Sequence, residues 1–202
     1  PNDDPSHLFS LRQEPPLSPR HIPNLISLAR IALVVPAIEA MLAQHFGRAL
    51  LWFTLAGLSD GVDGFVARRF GWQSRLGSYL DPVADKLLLG ASYGALAWLG
   101  LLPVWLAALV ITRDVVIFLG AVAYYFLLQP FDGTPSRLSK LNTLCQLVLI
   151  FVMLIQPDFA SVPAGVTQAL IGLVTLSTTL SGLLYVIGWG KRYWLNRRAT
   201  PI

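Results

Sequence analysis

Four aspartates with helix-compatible spacing lie close together in a chain that is otherwise apolar. Asp60 and Asp63 are three residues apart, and Asp81 and Asp85 are four apart. Residues at these spacings are neighbours on one face of an α-helix. A carboxylate at membrane depth costs roughly 2.5–3.5 kcal/mol. Four carboxylates in such a setting therefore require compensation, and a bound cation provides it most simply.

The chemistry that these aspartates could support is metal binding. Carboxylate oxygens suit Mg²⁺ or Mn²⁺, and Ca²⁺ less selectively. Residues 69–75, polar and centred on Gly71, predict a turn between the two pairs of aspartates. A helical hairpin would then direct all four carboxylates to one place. Such a set can hold two ions, spaced about 3.5–4 Å apart in two-metal phosphoryl-transfer sites.

Small residues and an arginine accompany the aspartates on the same predicted faces. Gly64, Ala67 and Arg68 follow Asp60 and Asp63 at helical spacing, and Gly77 precedes Asp81 by one turn. Glycine lets a bulky ligand approach the backbone, and we expect Arg68 to bind a phosphate. The stretch therefore predicts a metal site that takes a phosphate-containing ligand.

The composition is that of a polytopic membrane protein. Of 202 residues, 54% are hydrophobic and 13% charged. Six apolar segments, each near the roughly 20 residues that a spanning helix needs, predict an all-α fold with six transmembrane helices. The segments are Leu25–Ala43, Ala49–Ala67, Leu80–Leu99, Trp105–Leu127, Leu141–Ile155 (short unless 138–140 are included) and Val166–Gly188. Their short connections predict that neighbouring helices pack as antiparallel pairs.

The basic residues predict the topology. They cluster before the first segment, between the second and third, between the fourth and fifth, and after the sixth, whereas the opposite side has only Arg48. The positive-inside rule places both termini and the aspartate turn in the cytoplasm. We interpret the net charge of +4 as a topology and lipid-headgroup signal and expect no nucleic-acid partner.

We divide the chain into a polar arm (1–23), a membrane domain (24–190) and a basic tail (191–202).

The pattern D-x2-D-G-x2-A-R-x8-G-x3-D-x3-D, which runs from Asp60 to Asp85, resembles the signature of the CDP-alcohol phosphotransferases at every specified position. Members of that family are membrane enzymes with six transmembrane helices. They transfer a phosphatidyl or similar group from a CDP-linked donor to an alcohol and release CMP. The signature covers about an eighth of the chain, and the length and hydropathy agree with the family over nearly all of it.

The resemblance implies a role for each signature residue. Asp60, Asp63 and Asp81 would coordinate Mg²⁺ or Mn²⁺, and Asp85 would coordinate metal or act as the base that deprotonates the acceptor hydroxyl. Asp81 and Asp85 are the expected catalytic pair. The donor, expected to be CDP-diacylglycerol, would be bound by the following residues: Asp60, Gly64, Ala67, Arg68 and Gly77. The resemblance also implies a homodimer.

Several polar residues outside the signature are candidates for acceptor binding. Arg30 either extends to the interface or contacts a headgroup or nucleotide. Arg113 could line a pocket for the acceptor phosphate. Its neighbour Asp114 could neutralise Lys86 or another cation, and Lys86 itself is either a charge balancer or a ligand. Since adjacent helical residues do not face each other, Arg113 and Asp114 are not expected to be simply a pair.

The fifth segment opens with a further polar set. Lys140, Thr143 and Gln146 are spaced to share a helix face that could receive phosphate, although an N-terminal cap by Ser139 plus one interfacial lysine explains the same residues. The run Ser-Lys-x-Asn-Thr-x-x-Gln resembles the family's cardiolipin synthases, whereas phosphatidylglycerophosphate synthases have lysine in place of Asn142. The acceptor is therefore expected to be the diester phosphatidylglycerol, with glycerol-3-phosphate as the alternative.

Two other functional classes use intramembrane carboxylates. Ion and proton transporters do so, but here the carboxylates are concentrated in one hairpin and no inverted repeat is visible. Intramembrane prenyltransferases use different aspartate spacing and more helices. Formation of CMP distinguishes all three. The short arm and compact loops favour a bacterial plasma membrane over the mitochondrial inner membrane.

Overall fold

The structure is a computed structural model. It describes the backbone of residues 22–70, 75–128, 137–159 and 161–199. Within these ranges the side chains are described except at 22–25, 27, 60–70, 75–82, 121–128, 137 and 189–199.

The described part of the chain is all-helical, as the apolar segments predict. Six helices follow one another in the same order as the six segments. The fifth begins early enough to include residues 138–140, and the sixth continues eleven residues beyond Gly188, where the apolar segment ends, through much of the predicted basic tail. Their bounds are α1 Ile22–Leu42, α2 Phe46–Phe70, α3 Arg75–Trp98, α4 Val104–Leu128, α5 Arg137–Ile155 and α6 Ala164–Ala199.

Within the described residues, helices α5 and α6 contain stretches long and apolar enough to cross a membrane. These stretches are Leu138–Ile155 and Ala164–Gly188. Large apolar side chains are exposed along the other helices as well, including Leu51 on α2 and Phe118 on α4, both 55% exposed. The outer surface thus resembles one that faces hydrocarbon.

Helix α1 is central to the N-terminal half. It packs along both α2 and α3, whereas α2 and α3 contact each other only slightly among the described residues. Small side chains permit the close α1–α2 approach, since Ala37, Ala49 and Ala56 are fully buried. The expected antiparallel pairing of neighbours therefore fits α1 with α2, but the aspartate-bearing helices α2 and α3 are held together mainly through α1.

Helix α6 has the corresponding role in the C-terminal half. It packs against α4 and α5, whereas the backbones of α4 and α5 do not approach each other closely among the described residues. Helix α3 joins the halves by packing against α1, α4 and α5. Consecutive helices therefore pack along each other at α1–α2, α3–α4 and α5–α6, whereas in the described part of the chain α4 and α5 meet through the side chain of Arg113.

Two short connections are closed by the same helix-capping geometry. Gln44 and Gly100 both have positive φ, 58° and 73°. After α1, His45 N donates to Ala40 O and Gln44 N donates to Met41 O. The equivalent bonds follow α3, with Gly100 in the left-handed position. Both are Schellman caps. The cap after α1 places Gln44, which has a side chain, in the left-handed position, whereas the cap after α3 has glycine there.

Candidate active site

The four aspartates of the motif occupy helical backbone on two helices. Asp60 and Asp63 lie on α2, and Asp81 and Asp85 lie on α3. Because the backbone is helical at all four positions, the predicted spacing of each pair along one face holds. The side chains of Asp60, Asp63 and Asp81 lie outside the described residues, as do those of Gly64, Ala67, Arg68 and Gly77.

Asp85, the fourth aspartate, forms an ion pair with Arg30. Arg30 Nη1 donates to Asp85 Oδ1 at 2.6 Å, and the two residues are 55 positions apart in the chain. The Arg30 side chain is 0% exposed, whereas that of Asp85 is 43% exposed. Arg30 therefore does not extend to the interface in this structure. It fixes one oxygen of a carboxylate that a ligand can still reach.

Lys86 faces the other side of α3 and pairs with Asp114 on α4. Lys86 Nζ lies 2.5 Å from Asp114 Oδ1, which confirms the predicted neutralisation. Arg113 Nη1 also lies 2.7 Å from the same oxygen. Arg113 and Asp114 were not expected to be simply a pair, and this is correct only in part. The long arginine side chain folds back to contact Asp114, but Asp114 also pairs with Lys86.

Arg113 connects three helices through buried hydrogen bonds. Its Nη2 donates to Ser139 Oγ on α5 at 2.8 Å and to Ser181 Oγ on α6 at 2.5 Å. Helix α5 begins at Arg137, so Ser139 lies inside the first turn and is not the predicted N-terminal cap. The Arg113 side chain is 4% exposed. Its proposed contact with an acceptor phosphate stays a prediction.

The polar residues that open α5 do not share one surface. Asn142 and Gln146 are fully buried against α6, whereas Lys140 is exposed. Asn142 Oδ1 accepts hydrogen bonds from Ser177 and Thr178, both at 2.8 Å. Thr143 Oγ1 bonds back to Ser139 O at 3.2 Å. The predicted Lys140–Thr143–Gln146 face is therefore wrong, because packing on α6 selects the Asn142–Gln146 face instead.

Comparison with known proteins identifies the chain. A model of the CDP-alcohol phosphatidyltransferase family matches residues 20–188. This range contains the complete aspartate motif and most of the 202 residues. The chain belongs to the CDP-alcohol phosphatidyltransferase family.

Relatives of this chain carry two kinds of name. A probable cardiolipin synthase (CMP-forming) from Drosophila melanogaster is 38% identical over 198 residues, 89% of this chain and 61% of the relative. A cardiolipin synthase (CMP-forming) from Streptomyces coelicolor is 32% identical over 178 residues, 82% of this chain and 81% of the relative. A CDP-diacylglycerol–glycerol-3-phosphate 3-phosphatidyltransferase from Bacillus subtilis is 31% identical over 154 residues, 67% of this chain and 77% of the relative. The chain thus spans about three fifths of the fly protein.

The family generally uses divalent metal ions, and the donor set of this chain fits them. The four motif carboxylates offer only oxygen ligands, which hard divalent cations prefer. Asp85 is open to a ligand, since 43% of its side chain is exposed. Among the residues whose side chains are described, no group of three or more acidic, histidine or cysteine residues could hold a metal. Asp60, Asp63 and Asp81 are not among those residues.

The hydroxyl residues of α6 were missed by the sequence interpretation. Ser177, Thr178 and Ser181 are buried and supply the partners of Asn142 and Arg113. A signal for them existed, because hydroxyls at helical spacing in an apolar helix commonly bond across helices. They hold α5 and α4 on α6, and so fix the C-terminal wall of the bundle.

Proposed function

We propose that this protein transfers the phosphatidyl group of CDP-diacylglycerol to the free hydroxyl of phosphatidylglycerol, forming cardiolipin and CMP. Family membership and the names of the fly and Streptomyces relatives support this reaction. The observation that carries the assignment of the base is the ion pair between Asp85 and the fully buried Arg30. It orients the last carboxylate of the motif before substrate arrives.

The reaction needs one proton acceptor and one leaving group. The acceptor hydroxyl oxygen attacks the phosphorus attached to diacylglycerol, and its proton passes to Asp85. The bond from that phosphorus to the bridging oxygen breaks, and CMP leaves with the electron pair. A general base must lie within hydrogen-bond reach of the proton that it takes, and the contact with Arg30 limits where the Asp85 carboxylate can point.

The remaining signature residues bind the donor in this proposal. Asp60, Asp63 and Asp81 would hold Mg²⁺ or Mn²⁺, and the bound ion would neutralise charge on the diphosphate. Arg68 contacts a donor phosphate, and Gly64, Ala67 and Gly77 leave room for the nucleotide beside the backbone. Arg113, Lys140, Asn142 and Thr143 form the acceptor side.

Glycerol-3-phosphate is the alternative acceptor. The Bacillus subtilis relative is named for that substrate. The phosphate monoester of glycerol-3-phosphate carries more negative charge than the singly charged phosphodiester of phosphatidylglycerol. A lysine at position 142 would suit the monoester better. Asn142 is neutral, and this neutrality supports the diester in our proposal; its side chain is turned to α6.

We also propose the setting of the enzyme. All six helices span the membrane, with both termini and the α2–α3 turn on the cytoplasmic side, in a bacterial plasma membrane and as a homodimer. The positive residues near the turn and at the ends support this orientation. Cysteine accessibility at Arg48→Cys and Lys140→Cys, measured in a Cys145→Ser background in sealed inverted vesicles, tests it. Labelling of both sites from the same side would contradict six spans.

The decisive experiment measures CMP release by the purified full chain in lipid nanodiscs with CDP-diacylglycerol and Mg²⁺. Phosphatidylglycerol and glycerol-3-phosphate are supplied separately, and Asp85→Asn is the inactive control. CMP with phosphatidylglycerol only, together with cardiolipin in the lipid extract, is the expected result. Turnover with glycerol-3-phosphate only would replace the proposal by its alternative.

A further inference from the structure

The side chain of Arg113 is held between α5 and α6. It is 4% exposed, and a Cβ at Gly182 on α6 would lie 3.4 Å from Arg113 Cγ. Because Gly182 has no side chain, the aliphatic part of the arginine can lie close to α6. From there Nη2 donates to Ser139 Oγ at 2.8 Å and to Ser181 Oγ at 2.5 Å. Both serines therefore bind the same nitrogen of the guanidinium.

The hydrogen bonds of Arg113 account for most of its donors. A guanidinium has five N–H groups in a fixed planar arrangement. Two of them belong to Nη2, and these two are taken by the serine hydroxyls. One N–H of Nη1 is taken by Asp114 Oδ1 at 2.7 Å. The second N–H of Nη1 and the N–H of Nε remain, and Nε is buried with no hydrogen-bond partner in the described part of the chain.

The two remaining N–H groups cannot bind one phosphate together. Arginine recognises phosphate best through two parallel N–H groups on one edge of the guanidinium. One such edge combines Nε with Nη2, and the other combines Nη1 with Nη2. Both edges need Nη2, whose two N–H groups are occupied. As long as the serine hydroxyls stay in place, Arg113 can offer a phosphate only single hydrogen bonds.

This restriction disfavours a doubly charged phosphate more than a singly charged one. Hydrogen bonds between ionised partners are the strong ones, so a phosphate monoester loses more than a diester when a bidentate contact is unavailable. The positive charge of Arg113 is also partly offset by Asp114. A single oxygen of a diester would still satisfy the buried N–H of Nε, which is unfavourable to leave unbonded.

We propose that Ser139 and Ser181 are positioning residues that determine acceptor specificity: by occupying both N–H groups of Arg113 Nη2, they select a phosphodiester over a phosphate monoester. Neither serine contacts the acceptor, since each acts through the arginine. The inference rests on the proposed function, in which Arg113 lies on the acceptor side. It is distinct from the argument for Asn142, where the neutral side chain itself favours the diester.

The relative use of two acceptors tests the proposal. The purified full chain in lipid nanodiscs receives CDP-diacylglycerol and Mg²⁺, and kcat/KM is measured from CMP release with phosphatidylglycerol or with glycerol-3-phosphate. In Ser139→Ala/Ser181→Ala both N–H groups of Nη2 are released. The kcat/KM for glycerol-3-phosphate relative to phosphatidylglycerol should then rise about tenfold, the effect of one additional hydrogen bond between charged groups. Each single alanine variant should give a smaller rise, so that the test does not depend on the folding of the double variant.

Two control variants separate this effect from a general loss of packing. Ser139→Thr keeps a hydroxyl on α5 and should keep the wild-type ratio of the two acceptors. Ser92→Ala removes a buried hydroxyl from α3 and should also keep that ratio. The KM for CDP-diacylglycerol should stay unchanged in the alanine variants of Ser139 and Ser181, whereas a purely structural role would alter it and reduce the use of both acceptors alike.

The outcomes distinguish this inference from the proposed function. If the wild type uses phosphatidylglycerol and the alanine variants have an unchanged acceptor ratio, the inference is wrong and the proposed function still holds. If the wild type does not use phosphatidylglycerol, the proposed function is wrong, and the role of the two serines is refuted with it.

Discussion

Replacement of Asp85 by asparagine is expected to destabilise the protein as well as stop the proposed reaction. Arg30, its partner, is fully buried, and Nη1 lies 2.6 Å from Asp85 Oδ1. Asparagine keeps an oxygen that can accept this hydrogen bond but lacks the negative charge. The guanidinium then loses this counter-charge in the interior of the bundle.

The size of the effect follows from the exposure of the two side chains. Removing one partner of a buried ion pair costs about 3–5 kcal/mol. Because Asp85 is 43% exposed, we expect the lower end, about 3 kcal/mol. In the double variant Arg30→Met/Asp85→Asn both charges are gone, and replacing a pair by apolar contacts is often close to neutral. The two substitutions should therefore couple by about 1.5–3 kcal/mol.

Two measurements on the same samples separate stability from chemistry. Reversible unfolding in mixed micelles with increasing dodecyl sulfate gives the free energy of unfolding, and CMP release gives activity. The single variant Asp85→Asn should be unstable and inactive, and the double variant should be stable and inactive. If the effects add within about 0.5 kcal/mol, the ion pair is not what stabilises Arg30. If the double variant regains turnover, Asp85 is not the base.

Three further predictions concern other parts of the protein. Asp63→Ala should raise the Mg²⁺ concentration needed for half-maximal CMP release, and an unchanged Mg²⁺ dependence would count against a ligand role. Asn142→Ala leaves the hydroxyls of Ser177 and Thr178 without this acceptor and should cost about 1–3 kcal/mol in the same unfolding assay. It should also raise KM for the acceptor but not for CDP-diacylglycerol, and unchanged KM values would indicate a purely structural role. Gln44 has a left-handed backbone conformation that is strained for a residue with a side chain. Gln44→Gly removes this strain and should stabilise the protein by about 1 kcal/mol, with CMP release unchanged. A loss of stability would show that contacts of the glutamine side chain matter more than the backbone strain.

The existence and order of the helices could be predicted from the sequence, because apolar runs of spanning length specify a helix wherever they occur. Their ends were predicted less well. Helix α6 runs for 36 residues to Ala199, whereas its apolar segment ends at Gly188. Hydropathy marks where apolar side chains stop, but the residues that follow can continue a helix in a polar setting.

The partners of the charged residues could not be predicted, since they depend on which helices pack together. Spacing along one helix identified Asp85 as a member of a cluster, but Arg30 is 55 positions away. The pair forms because α1 packs along α3. In the same way, Asn142 faces α6 because α5 packs there, and no local feature of α5 distinguishes that face from the one containing Lys140.

Two dipeptides explain how the bundle is tied together at the level of Asp85. Consecutive residues on a helix project about 100° apart, so Asp85 reaches α1 while Lys86 reaches α4. On α4, Asp114 reaches back to α3 while Arg113 reaches α5 and α6. A continuous series of polar contacts therefore links α1, α3, α4, α5 and α6. Since the orientation of α3 is set from both sides, the position of the Asp85 carboxylate depends on the far contacts at Arg113 as well as on Arg30.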